Sequence, residues 1–83
     1  MNYFYVLQLK DTKYYYGSTK NLKKRIRKHQ TSKVYSTKNR LPLNLVYYEA
    51  YQSLKQARMR EKQVKTSGSA RRTLHKRMII VGP

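Results

Sequence analysis

Apolar and aromatic residues fill Asn2 to Leu9 almost without a break, stop at Lys10-Asp11-Thr12-Lys13, and resume at Tyr14-Tyr15-Tyr16. A polar turn between two such runs predicts a β-hairpin. Alternation on the second strand puts Tyr14 and Tyr16 on one face and Tyr15 on the other. After Gly17 the period changes: Thr19 or Asn21 can cap a helix running to about Gln30, with Leu22, Arg25, Ile26 and His29 on one stripe and Lys23, Lys24, Arg27 and Lys28 facing away. The basic segment 31–40 reads as a loop ended by Leu41-Pro42. Leu43 to Tyr51, dense in Leu, Val and Tyr, reads as a strand with Glu49 as a rim charge.

Ser53-Leu54-Lys55-Gln56 fits a capping box, so a second helix starts there and runs to about Lys65. Its stripe is Leu54, Ala57, Glu61 and Val64. Thr66-Ser67-Gly68 stops it, and Ser69 can cap a third helix from Ala70 to about Met78, anchored by Leu74 and Met78. The order β-β-α-β-α-α defines an α+β domain spanning 1–83, a small three-stranded antiparallel or mixed sheet flanked by helices.

Composition narrows what such a domain can do. Twenty Lys and Arg stand against three acids, Asp11, Glu49 and Glu61, for a net charge of +17. That charge favours a polyanion, and the basic residues run through the whole chain without the Trp- or Leu-rich apolar face that a membrane-surface helix needs. With no Cys and with histidines only at 29 and 75, disulfides and thiolate metal sites are excluded and a zinc site cannot be closed by His alone. The Met1–Leu9 run is too short to span a membrane and lacks a basic leader, so a cytoplasmic protein is expected, associated with the nucleoid if the source is bacterial. Nine tyrosines against one Phe imply a core finished by amphipathic rings whose hydroxyls need water or a partner.

Against that background a few residues carry chemistry. A carboxylate on an apolar stripe is costly unless a cation faces it. Glu61 therefore predicts either an internal salt bridge to an Arg such as Arg25, or a ligand to Mg²⁺ or Mn²⁺, which bind through one or two carboxylates plus waters and substrate phosphates. Arg25 and His29 share a helix face, where Arg can grip a phosphate and His can move a proton, or both can snorkel at the core edge. Tyr5 and Tyr15 on neighbouring strands can pack, orient water, or act as a base if positive charge pulls the phenol pKa down.

These residues, in this order, resemble the GIY-YIG nuclease family from about Tyr3 to Lys65. Tyr3-Phe4-Tyr5 corresponds to the first triplet and Tyr15-Tyr16-Gly17 to the second, with ten residues from Tyr5 to Tyr15. Arg25 follows the glycine by eight, His29 comes next, and Glu61 matches the metal-binding Glu. Tyr3 and Phe4 replace the family's Gly and Ile. Ser18 stands where some members carry Lys, which leaves Tyr activation to another cation such as Lys13, and no Asn follows Asn44 to supply the supporting contact of homing members.

The resemblance implies a phosphodiester hydrolase using one Mg²⁺ or Mn²⁺ ion. In it, water activated near Tyr5 attacks phosphorus, Arg25 stabilises the developing charge, Tyr15 and His29 position water and assist proton transfer, and the Glu61-bound metal stabilises the leaving oxygen. Gly17 would permit close backbone approach at the strand end. Lys13, Lys20, Lys24, Arg27, Lys28 and Lys65 would hold DNA, branched or damaged, by its backbone without reading sequence, specificity being slight or lent by a protein partner. Two other readings remain: a nucleic-acid-binding module on the same scaffold that cleaves weakly or not at all, and a ribosome-associated RNA-binding protein.

Overall fold

A strand buries four consecutive side chains only when both of its faces are covered, and Phe4, Tyr5, Val6 and Leu7 are all buried. They lie on β1 (Asn2–Gln8), the middle strand of a sheet ordered β2-β1-β3 with β2 (Tyr14–Thr19) and β3 (Asn44–Tyr51) as edges. Both pairings are antiparallel, with a register shift between Val6 and Leu7 against β3. The computed structural model describes residues 1–31, 33, 34 and 37–81, the last three by backbone only, so positions 32, 35 and 36 of the expected loop lie outside the described residues.

The helices divide between the two faces. Tyr5, Leu7, Leu9 and Leu43 form one cluster under Leu22 and Ile26 of α1 (Leu22–Gln30). Phe4 and Val6 pack on the other face against Val64 of α2 (Leu54–Thr66) and against Leu74 and Met78 of α3 (Gly68–Val81). The expected α+β order therefore holds, with the sheet fully antiparallel and sandwiched between α1 and the α2–α3 pair.

Local signals set most boundaries. Asn21 is the cap of α1, its side chain accepting from the Lys24 N–H at 3.0 Å, while the Thr19 hydroxyl accepts from the Asn21 N–H. The Ser53–Gln56 capping box closes reciprocally at 3.2 Å in both directions. Two expectations change. Ser67 rather than Ser69 starts α3: its hydroxyl accepts from the Ala70 N–H, and Gly68 becomes the first residue of the helix. Gly17 lies within β2, not at its end, with Ser18 and Thr19 continuing the strand.

Glu49 is also not a rim charge. Its carboxylate accepts from the Tyr47 and Tyr51 hydroxyls at 2.7 and 2.6 Å and from Arg60 at 3.0 Å, with its side chain only 16% exposed. Burial opposes the charge, but those three donors outweigh it and hold Glu49 below the usual carboxylate range. This cluster pins β3 to α2.

Leu74 is the fully buried anchor of α3, a helix whose apolar stripe is otherwise thin. Leu74→Ala should cost about 2–5 kcal/mol in urea unfolding, most of what a domain this small holds in reserve; a loss below about 1 kcal/mol would mean that α3 is not docked as described.

Candidate active site

Register and a missing side chain create the site. Tyr5 pairs with Gly17 across the β1–β2 ladder, so both project to the α1 face. The Tyr5 ring occupies the space above the glycine: a Cβ at position 17 would lie 2.5 Å from both Cζ and Oη of Tyr5. Gly17 is there for this crossing and not for a turn, since its backbone is not in the left-handed region.

At the end of the ring, α1 supplies two partners one turn apart. Arg25 Nε donates to the Tyr5 hydroxyl at 3.4 Å, and His29 Nε2 lies 3.0 Å from the same oxygen. His29 is fully buried, and its Nδ1 lies 2.8 Å from the Thr37 hydroxyl. An arginine can only donate. The assignment in which every proton has an acceptor therefore runs Arg25 N–H to Tyr5 oxygen, Tyr5 O–H to His29 Nε2, and His29 Nδ1–H to Thr37. The Tyr15 ring closes the cluster, edge-on to His29 with centroids 4.9 Å apart and 6.3 Å from the Tyr5 ring.

Burial dominates the electrostatics. It pushes the Tyr5 phenol up to about 12, against the opposing hydrogen bond from Arg25. The expectation of a phenol activated by lowered pKa is thus overturned, because desolvation outweighs the one cation within reach. That cation is Arg25; Lys13 sits at the hairpin turn ahead of β2, its backbone bonded to Leu9 and Asp11. Burial also lowers His29 to about 4, with Arg25 acting in the same direction, so the imidazole is neutral at pH 7. Arg25 is raised above its ordinary value, chiefly by its hydrogen bond to Tyr5, with Tyr15 adding to the effect.

Glu61 comes from the other face of the sheet. Its carboxylate accepts from the Ser18 hydroxyl and from Lys65 Nζ, both at 2.6 Å. The sequence-based alternative of a bridge to Arg25 is replaced by an i,i+4 pair with Lys65, whose expected DNA contact would need it to leave Glu61. Glu61 still lies near enough for its charge to act on Tyr5. Among the described residues no three His, Asp or Glu side chains gather to cage a metal. A lone carboxylate, 22% exposed, suits Mg²⁺ or Mn²⁺ completed by waters and phosphate oxygens, and does not suit a closed zinc site. Lys20, Lys24, Arg27 and Lys28 stand exposed on and beside α1.

Two contributors escaped the sequence reading. Thr37 lies in a stretch without periodicity, and nothing local marks it as the partner of His29. Ser18 is visible as a substitution in the motif, but its bond to Glu61 depends on how α2 crosses β2.

The Gly-crossed tyrosine, the Arg and His of the first helix that grip it, and the Glu61 carboxylate bonded to the edge strand are the residues in which the sequence resembles the GIY-YIG nucleases. The chain belongs to the GIY-YIG family: residues 1–75 match the GIY-YIG catalytic domain. A UPF0213 protein of Clostridium perfringens is 41% identical to it over 66 residues, covering 78% of this chain and 71% of its own. One from Syntrophus aciditrophicus is 38% identical over 71 residues, covering 83% and 82%. The solution NMR structure of a UPF0213 protein from Bacillus halodurans matches with a TM-score of 0.57 at 35% identity, covering 92% of this chain and 84% of that one. Among the described residues no helix is long and apolar enough to cross a membrane.

The buried neutral histidine makes stability depend on pH. Unfolded His29 takes up a proton near pH 6.5 and folded His29 only near 4, so its contribution is complete above pH 6.5 and is lost as pH falls towards 4. Allowing for solvent screening, the loss should be on the order of 2–3 kcal/mol. His75, also lowered by burial, adds a slope of the same sign. Urea unfolding between pH 7 and 4 should show this decline, and His29→Gln should flatten it; an unchanged slope in the variant would mean that His29 is not buried neutral.

Proposed function

We propose that the chain is a divalent-metal-dependent endonuclease that hydrolyses DNA phosphodiester bonds with little intrinsic sequence specificity. The observation that carries this reading is the buried relay Arg25–Tyr5–His29–Thr37, which gives a phenol that stays protonated at neutral pH a built-in acceptor for its proton. A free phenolate would be present in only about one molecule in 10⁵ at pH 7, given a pKa of about 12. In the relay, Tyr5 oxygen takes a proton from the attacking water as its own proton passes to His29 Nε2, a transfer that needs the bound phosphate to neutralise Arg25, one of the two causes that hold the His29 pKa low.

Tyr5 is fully buried beneath the half-buried Arg25. A phosphate that draws the guanidinium onto itself would uncover the phenol oxygen for water, so substrate binding would assemble the attacking geometry. Arg25 would then stand against the charge developing on phosphorus, with Tyr15 orienting the water. A divalent ion held by Glu61 would supply charge stabilisation for the leaving oxygen. Lys13, Lys20, Lys24, Arg27 and Lys28 would hold the backbone, with Lys65 joining them once released from Glu61.

The Lys65 and Ser18 bonds to Glu61 also favour a second reading, a DNA-binding module that cleaves slowly because its carboxylate is already satisfied. Nicking of plasmid and branched DNA with Mg²⁺, Mn²⁺ or EDTA separates the two. Glu61→Gln should abolish nicking and leave DNA binding intact or tighter, since a negative charge is removed. Tyr5→Phe should lower the rate by about 10²–10⁴ and cost about 1–3 kcal/mol of stability for the buried His29 nitrogen it leaves unpaired, and Arg25→Ala should lower the rate by at least as much. Metal-independent nicking, or near-wild-type rates in Tyr5→Phe, would overturn the mechanism.

A further inference from the structure

On the α1 face of the sheet, beside the relay, a groove of about 530 Å³ runs between α1 and the strands, lined by Tyr3, Ile26, Leu45 and Tyr48 and rimmed by Lys20 and Lys23. Its exposure is unusual for the fold: Tyr48 is 55% and Leu45 37% exposed, although both belong to apolar types that the rest of the sheet hides. The Tyr3 and Tyr48 rings meet edge to face, with centroids 6.0 Å apart and planes at 69°, and more than half of Tyr48 stays in solvent. Neither ring takes part in the relay.

The groove is continuous with the site. Tyr48 pairs with Tyr5 on one side of β1 as Gly17 pairs with it on the other, and Tyr3 lies two residues along the same face. Gly17 and Tyr48 are two strand spacings apart, about 10 Å. That corresponds to roughly three nucleotides of stacked rise. Ile26 in the groove wall follows Arg25 directly.

We propose that this groove binds an unpaired nucleobase of the substrate strand, stacked against Tyr48 and Tyr3, with Lys20 and Lys23 on the adjoining phosphates. Charge selects this occupant. The lining holds two lysines and no acid, in a chain of +17, which suits a polyanion and repels a second copy of itself. Ring chemistry selects the unpaired state. A base within a duplex offers only its edges, whereas aromatic side chains stack on exposed base faces with little regard to sequence. This deepens the nuclease reading and rests on it: DNA with unpaired nucleotides beside the cleaved bond becomes the preferred substrate class.

Binding measured in EDTA tests the groove without requiring cleavage, using one oligonucleotide sequence carrying 2-aminopurine, as a single strand and as a duplex. Wild-type protein should bind the single strand and change the 2-aminopurine emission through stacking. Tyr48→Ala should weaken single-strand binding by about tenfold and leave duplex affinity unchanged, while Tyr48→Phe should restore it. Tyr48 is more than half exposed, so the variant should fold, which circular dichroism checks. Equal losses on both substrates, no loss on either, or a wild-type dimer that Tyr48→Ala dissociates would each overturn the proposal. A wild type that stacks 2-aminopurine yet nicks no DNA in Mg²⁺ or Mn²⁺ would remove the nuclease reading and leave base stacking in the groove supported.

Discussion

Everything at the site depends on a tyrosine ring lying across a glycine. The crossing brings the Tyr5 hydroxyl over the edge strand, where Arg25 and His29 reach it, and no side chain at position 17 leaves room for the ring. The strand that carries the ring is buried on both faces, with Tyr5 in the α1 cluster and Phe4 and Val6 in the α2–α3 cluster. The same residue is thus a core side chain and a candidate catalytic one, so packing holds its hydroxyl in place.

The charges follow a simple division. Each of the three acids has a cation: Asp11 with Arg40, Glu49 with Arg60, and Glu61 with Lys65. Of these, Glu49 is the structural one, its two oxygens saturated by tyrosines and an arginine that tie β3 to α2. Glu61 differs in kind, because its partners are a small hydroxyl and an exposed lysine that a metal ion and a phosphate could displace. With so few acids, most of the basic side chains are left to face a polyanion.

Much of this was legible in the chain. Alternation, the capping box at Ser53 and the helical spacing of Leu22, Arg25, Ile26 and His29 are local signals, and they gave the element order and the face from which α1 meets the sheet. What was not legible depends on burial or on long-range approach. The phenol pKa rises because Tyr5 is sealed, which its sequence neighbours do not announce. Thr37 satisfies His29 from an aperiodic loop, and Lys65 rather than Arg25 meets Glu61 because α2 lies on the opposite face from α1. Gly17 read as a strand end because glycine usually punctuates; here it is a vacancy that another residue's ring fills.

The central claim is that His29 stands neutral beneath Tyr5 with its free nitrogen turned to the phenol. Long-range ¹H–¹⁵N NMR correlation of the imidazole, followed against pH, reads this directly. The account predicts the Nδ1–H tautomer at pH 7, with Nε2 unprotonated towards Tyr5, and no titration until pH falls to about 4. An Nε2–H tautomer, or an imidazole that titrates near 6.5, would contradict the relay and leave Tyr5 without an acceptor for its proton.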